Sequence, residues 1–379
     1  MDPATPRTHA IAAMRLCAGF ASHGHDVELV VPAVTKPSPP PSELFATYGI
    51  EREIALRYLS VGPANDGYGT RVMGAMLARH VREAMRSDRP DVVISDDTRF
   101  LLPYLAAERL HRDAAVTAPW LHGFQGNRIE RIVCANASCV LSTNQAMLED
   151  VETAGALKRP AFVTGNPVPQ KLVEFGRSHS RADARRRLGL DLERPLIAYT
   201  GKLFGHMKEL HYLLQAAAQL PDCLFLLTGG QPPVIAELHE RLRADGRPNV
   251  QLTGMLKDPN EARFYQKSAD VLVSYYSTED HPFAYQQLPA KLAEYMASGN
   301  AIVAADFPAV RELLNAGNSF LVEPHNADAF IHMLKEAVGN SADAKARGAQ
   351  AQRDTAGWTS EAVAAELAEF FSGLEERAR

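Results

Sequence analysis

Short β-branched runs alternate with amphipathic stretches along the whole chain. In the first half, Val27–Val31, Val92–Ser95, Val116–Ala118, Val140–Ser142 and Phe162–Thr164 read as strands. In the second half, Leu196–Thr200, Leu224–Leu227, Val250–Leu252, Val271–Val273, Ala301–Ala304 and Phe320–Val322 do the same. Apolar residues recur at helical spacing over Ile11–Ser22, Arg71–Arg86, Lys208–Leu220 and Ala290–Ser298. Strand and helix in alternation predict parallel sheets covered by helices on both faces. Asn166-Pro167-Val168-Pro169 breaks regular structure, and the basic run Arg181–Leu188 beyond it reads as a short exposed helix. The predicted architecture is α/β: two Rossmann-like, doubly wound lobes facing a cleft. The first spans residues 1–168 and the second 169–355, with a helix over 356–379 crossing back to the first. Ligands of such sheets bind outside the carboxyl ends of the strands.

A length of 379 residues suits two domains, and 46% hydrophobic with 22% charged residues is an ordinary globular balance. The formal net charge of -5 is the wrong sign for a surface built on nucleic acid, which is not an expected partner. No apolar run approaches the roughly 20 residues that span a bilayer, and no signal peptide pattern opens the chain. A cytoplasmic protein is expected, working in solution or at the inner face of the membrane. Cys17, Cys134, Cys139 and Cys223 form no CxxC, which predicts reduced thiols and no zinc site. Pro37–Pro41 reads as a stiff surface loop. Arg71, Arg79, Arg82 and Arg86 fall on one helical pattern, either a solvated face or one that docks on a membrane surface. Gly67-Tyr68-Gly69 is too short for a dinucleotide fingerprint. No GxGxxG with an acidic partner follows the first visible strand, which argues against an NAD enzyme.

The chemistry concentrates in the second half. Strand Leu196–Thr200 runs into Gly201-Lys202, and a helix with the stripe Leu210, Leu213, Leu214, Ala217 and Leu220 follows. Strand, glycine turn and helix N-terminus form an anion-binding arrangement in which Lys202 and Lys208 would neutralise a diphosphate. A plain loop with two solvated lysines is the alternative. Further on, Pro289 fits the first helical position and Gly299 the residue past the helix end. Glu294 shares that helix with Leu292, Tyr295 and Met296, so its carboxylate needs a partner: a ribose diol, or a salt bridge to a base such as Lys291. The polar, aromatic stretch Ser274–Gln287 follows a strand and reads as a site loop. His122 follows the strand at Val116–Ala118. Asp96 and Asp97 either face the cleft or cap the segment starting at Thr98.

The order YTGKL with a following Lys, then LPDCLFLLTGG, NVQLTGM, ADVLVSYYS, LPAKLAEYMASGNAIVAAD and RELL, resembles the retaining glycosyltransferases of family 4. The likeness covers most of Leu196–Val338. It extends more weakly to Met14–Phe20, Gly24–Leu29 and Trp120–Gly123. The resemblance implies a GT-B fold, with a nucleotide sugar on the second lobe and an acceptor mainly on the first. Gly201, Lys202 and Lys208 match the family's diphosphate turn, where position 202 is often Arg. Glu294 matches the second glutamate of an E-x7-E element, the one that holds ribose; the first falls at Gln286, with Gln287 and Leu288 beside it. Met255 and Leu256 match the turn against the base, and His122 the histidine at the transferred sugar. By this resemblance the family's first strand is expected to be absent before the helix that begins near His9 or Ala10, and Ala12 stands where a subgroup often has histidine. The implied activity is transfer of a sugar, with retention, from a UDP-sugar or GDP-sugar to a carbohydrate or lipid-linked acceptor, with no metal and no cofactor. A non-catalytic GT-B partner in polysaccharide assembly is the alternative, and a nucleotide-sugar epimerase a third.

Overall fold

The computed structural model describes residues 8–33, 40–48, 50, 54–60, 79–80, 83, 89–108, 115–203, 208–279 and 284–378. The Pro37–Pro39 part of the proline loop, Gly67–Gly69, Arg71–Ala78 with Arg82 and Arg86, Phe204–Met207 and Asp280–Phe283 lie outside them.

The first half runs α1 (Thr8–Ser22), β1 (Glu28–Ala33), α2 (Pro41–Tyr48), β2 (Ala55–Ser60), β3 (Val92–Ser95), α3 (Leu102–Glu108), β4 (Val116–Leu121), α4 (Arg128–Asn136), β5 (Val140–Ser142), α5 (Gln145–Thr153) and β6 (Ala161–Val163). The second begins α6 (Gln170–Ser178), α7 (Arg181–Leu188), β7 (Leu196–Thr200), α8 (Lys208–Gln219), β8 (Leu224–Thr228), α9 (Pro232–Ala244), β9 (Val250–Gly254), α10 (Ala262–Ser268) and β10 (Val271–Ser274). It closes with α11 (Lys291–Ser298), β11 (Ala301–Ala305), α12 (Pro308–Arg311), β12 (Phe320–Val322), α13 (Ala327–Gly339), α14 (Ser341–Asp354) and α15 (Ser360–Ala378). Two compact units result. One takes the chain up to Pro167 together with Ser360 onward; the other is Val168–Thr359.

The second unit is built on one six-stranded parallel sheet in the order β12-β11-β10-β7-β8-β9. Every residue of β7, β10 and β11 is buried, because helices cover both faces and an all-apolar strand is then the cheapest choice. The α8 stripe of Leu210, Leu213, Leu214 and Ala217 enters the same core. Gly299 ends α11 at φ 75°, a left-handed conformation that favours glycine. Two expectations need correcting here. Pro289 is not the first residue of α11; the helix opens two residues later at Lys291, and the Pro289 carbonyl accepts from Leu292 N–H at 3.0 Å as a preceding tight turn. Helix α7 is not simply exposed: Arg185 is 1% exposed, with Nη2 donating to Asp270 at 2.7 Å and Nε to the Ser268 carbonyl at 2.9 Å. A buried guanidinium is tolerated because its donors are answered.

The first unit carries a four-stranded parallel sheet, β3-β4-β5-β6, and a separate parallel pair, β1-β2. Strand β2 escaped the pattern reading because Arg57 interrupts it; Arg57 Nε donates across the pair to Glu28 at 2.6 Å. Helix α1 crosses α15 so closely that a Cβ on Gly19 would lie 2.2 Å from the Ser360 carbonyl oxygen. A cavity of about 920 Å³ lies within this unit. Consecutive residues border it in Val27–Val31 and Asp91–Asp96, but only the alternate Ala55, Arg57 and Leu59 of β2 do so. Successive strand residues point to opposite faces, so the cavity meets the edges of β1 and β3 and one face of β2. Among the described residues no strand pairs with either edge. Ala10, Ala13, Met14 and Cys17 of α1 close the cavity with a helical stripe.

Candidate functional site

The carboxyl ends of β7, β8 and β9 are laced together by backbone. Gly201 N–H donates to the Thr228 carbonyl at 3.0 Å, and Gly229 N–H to the Gly254 carbonyl at 2.9 Å. Gly201 (φ 148°) and Gly229 (φ 123°) approach so closely that a Cβ on Gly229 would fall 1.8 Å from the Gly201 oxygen. Glycine is required there by contact as well as by dihedral. The Gly201 amide is therefore committed to β8.

Lys202 follows on the exposed side of the turn, its carbonyl held by the Tyr199 hydroxyl at 2.8 Å. Lys208 is the first residue of α8, at the positive end of that helix's dipole. Met255 and Leu256 follow β9; Met255 is 59% exposed, with the Gln231 amide nitrogen 3.9 Å from its sulfur.

Helix α11 is stapled to the end of β7. Thr200 N–H donates to the Tyr295 hydroxyl at 2.9 Å. The buried Gln266 amide reaches both Thr200 Oγ1, at 3.2 Å, and Glu294 Oε2, at 3.0 Å. This network brings Glu294 to the Gly201 turn. The salt bridge imagined between Glu294 and Lys291 is not made. Glu294 is held by Gln266, and Lys291 pairs with Glu209 at 3.6 Å. Burial pushes the Tyr295 hydroxyl well above its ordinary value, so it stays a neutral hydrogen-bonding group.

Gln286 is buried, its amide nitrogen donating to the Tyr285 hydroxyl at 3.0 Å. Gln287 is exposed and its carbonyl accepts from the Tyr276 hydroxyl at 2.9 Å; Leu288 is buried. The β7 turn, the β9 turn and α11 thus gather Gly201, Lys202, Met255, Leu256 and Glu294 at the carboxyl edge of one sheet. Pattern reading missed the positioning side chains Tyr199, Gln266 and Tyr295. Gln266 and Tyr295 find Thr200 at 66 and 95 residues' remove, while the Tyr199 hydroxyl reaches Lys202, a contact the pattern does not show.

His122 belongs to the first unit. It follows β4, half-buried, with its ring 4.5 Å from that of Trp120, whose indole N–H donates to Thr164 at 2.8 Å. Asp97 is a cap: its carboxylate accepts from Arg99 N–H at 3.0 Å and pairs with the Arg99 side chain. The cysteines are free thiols, and among the described residues no three or more His, Cys, Asp or Glu are grouped so that they could hold a metal ion.

The sequence pattern described as "Glycosyl transferases group 1" matches residues 194–340, and that of the "Glycosyl transferase 4-like domain" matches residues 8–167. The chain belongs to the group 1 glycosyltransferases. Among relatives of this family, the α-maltose-1-phosphate synthase of Mycolicibacterium smegmatis is 26% identical over 56% of this chain and 56% of its own length. The D-inositol 3-phosphate glycosyltransferase of Corynebacterium urealyticum is 26% identical over 65% of this chain and 59% of its own. The matches thus span little more than half the length of these relatives. Among solved structures, Anabaena HepE in complex with UDP superposes with a TM-score of 0.73 at 16% identity, over 97% of this chain and 98% of that one. The sucrose-phosphate synthase of Thermosynechococcus elongatus gives 0.75 at 17% identity, over 99% and 97%. At such identity the likeness is one of fold: two parallel-sheet α/β lobes of the GT-B type. Among the described residues no helix is long and apolar enough to cross a membrane.

Proposed function

We propose that the protein is a retaining, metal-independent glycosyltransferase that moves a sugar from a UDP-sugar or GDP-sugar to a carbohydrate or lipid-linked acceptor. The observation that carries this reading is the convergence of the Gly201 turn, Lys202 and Glu294 at one sheet edge through the Thr200–Gln266–Glu294 network. In this reading Glu294 accepts from the ribose hydroxyls, and Met255 and Leu256 lie against the base.

The transfer asks little covalent work of the protein. As the glycosidic bond breaks, the diphosphate gains negative charge. Lys202, Lys208 and the amino end of α8 meet that charge, and an interaction that strengthens as charge develops lowers the barrier. The leaving phosphate oxygen takes the acceptor's hydroxyl proton on the face from which it departs. The new bond therefore forms with retention and without a protein nucleophile. His122 of the first unit would contact the transferred sugar. A lipid-linked acceptor would bring the protein to the inner face of the membrane.

The alternative of a non-catalytic GT-B partner draws on Gln286, which supplies an amide where the E-x7-E element has its first carboxylate. A thermal-shift screen with UDP, GDP and their common sugars separates these readings in part, since a ligand that binds only the folded state raises the melting temperature. A rise with at least one nucleoside diphosphate, together with release of that diphosphate from its sugar in the presence of acceptor extracts, is the expected result. A flat screen would overturn the donor site.

A further inference from the structure

Lys291 opens α11, the helix that carries Glu294, and its ammonium lies beneath the Gly201 turn. Nζ stands 3.8 Å from the centroid of the Tyr199 ring and 3.6 Å from a Glu209 carboxylate oxygen. A Cβ on Gly201 would fall 3.3 Å from Nζ and 3.2 Å from the Tyr199 hydroxyl. The glycine therefore leaves only backbone above the ammonium. The Tyr199 hydroxyl holds the Lys202 carbonyl, so ammonium, ring and turn form one assembly.

Stability does not account for this arrangement. The Lys291 side chain is 18% exposed and that of Glu209 4%. Desolvating two such charges costs more than a pair this loose returns, and apolar residues of the same volume would fill the space at lower cost. At 3.6 Å the contact is longer than the 2.7–2.9 Å typical of a charge-assisted hydrogen bond, and an ammonium carries three donors. Burial works to discharge Lys291 while Glu209 works to keep it protonated. What the pair maintains is a desolvated cation at a glycine turn, where an anion gains most from meeting one.

We propose that Lys291 is a phosphate-binding residue of the donor site, its ammonium donating to the diphosphate seated on the Gly201 turn while Glu209 and the Tyr199 ring hold it charged and aimed. The proposal rests on the donor reading above and adds to it a third cation, carried by α11 instead of the β7–α8 turn.

Removing Lys291 alone would leave Glu209 as an uncompensated buried carboxylate. The telling variant is therefore Glu209→Gln combined with Lys291→Met, which removes both charges and nearly preserves volume. Calorimetry with UDP and GDP, and ligand-observed NMR with uridine and guanosine as uncharged controls, should be run on parent and variant. The expected result is at least a tenfold loss of affinity for the diphosphate that binds the parent, an unchanged affinity for its nucleoside, and a melting temperature at or above the parent's. A diphosphate-to-nucleoside affinity ratio equal to the parent's would overturn the role of Lys291 and leave the donor site standing. A parent that binds neither diphosphate would overturn the donor reading and this proposal with it.

Discussion

The two units solve the same structural problem to different degrees. In Val168–Thr359 a single sheet of six parallel strands organises one continuous core, and β7, β10 and β11 are buried at every position. In the other unit the sheet is divided. β3 stands at an edge with every residue half-buried, whereas its neighbour β4 is buried throughout. The apolar side chains fall into several small clusters instead of one. A strand of a doubly wound sheet contributes two rows of hydrogen bonds and two apolar faces at once. Where two edges go unpaired, the helices beyond them lose their shared floor. Gly201, Lys202 and Glu294, the residues proposed for the donor, sit on the unit with the six-stranded sheet.

The largest expected contrast lies in the ion pairs. Asp270 accepts from Arg181, from Arg185 at 2.7 Å and from Leu196 N–H at 2.8 Å. Asp270→Ala strands the buried Arg185 guanidinium and should cost about 3–5 kcal/mol. In the first unit the Arg57–Glu28 pair is exposed, and Glu28→Ala should cost no more than about 1 kcal/mol. Denaturant titrations of both variants measure the gap; equal losses would break the comparison.

A second contrast uses two tight helix crossings. A Cβ on Gly176 would fall 2.0 Å from the Ala297 carbonyl oxygen, much as one on Gly19 meets Ser360. Gly176→Ala forces backbone apart in the tightly packed unit and should cost about 3 kcal/mol, the upper end of overpacking effects. Gly19→Ala should cost roughly half as much, because α1 borders the cavity and has room to shift. The same looseness should appear in hydrogen exchange: β1 and β3 amides should exchange at least tenfold faster than those of β7 and β10. Equal protection in both sets would show that the unpaired edges carry no energetic consequence.

The smallest effect is acid-dependent. The hydrogen bond from Arg311 holds the Asp306 carboxyl below its ordinary value of 3.8. A depressed carboxylate stabilises the fold above its unfolded pKa, and that contribution is lost as pH falls through the folded value. Arg311→Ala should therefore be slightly less stable than the parent at pH 7, and the two should converge below about pH 4. A gap that does not narrow as the pH falls below 3.8 would assign the effect to packing.

Much of this was legible in the sequence. Every strand expected from the pattern forms, with ends shifted by a few residues, because burial on both faces demands apolar runs such as Leu196–Thr200. What stayed hidden depends on partners remote in sequence. Arg57 obscured β2 because its charge is met by Glu28 on another strand. Arg185 looked like part of a solvated basic run because Asp270 lies 85 residues away. The Gly201 turn, Lys202 and Glu294 were readable as local motifs, while the Gln266 amide that joins the turn to the helix was not. Lys291 was visible as a base on the helix that carries Glu294. Its pairing with Glu209, instead of Glu294, required the fold.

The proposed ribose contact, through Glu294, lies wholly on the Val168–Thr359 unit. Calorimetry of the full chain with UDP and GDP, for the parent and Glu294→Ala, tests it directly. At least one diphosphate should bind the parent, and the variant should lose about 1.5–3 kcal/mol of that affinity, the scale of hydrogen bonds to a charged group. Unchanged affinity in the variant would contradict the claim.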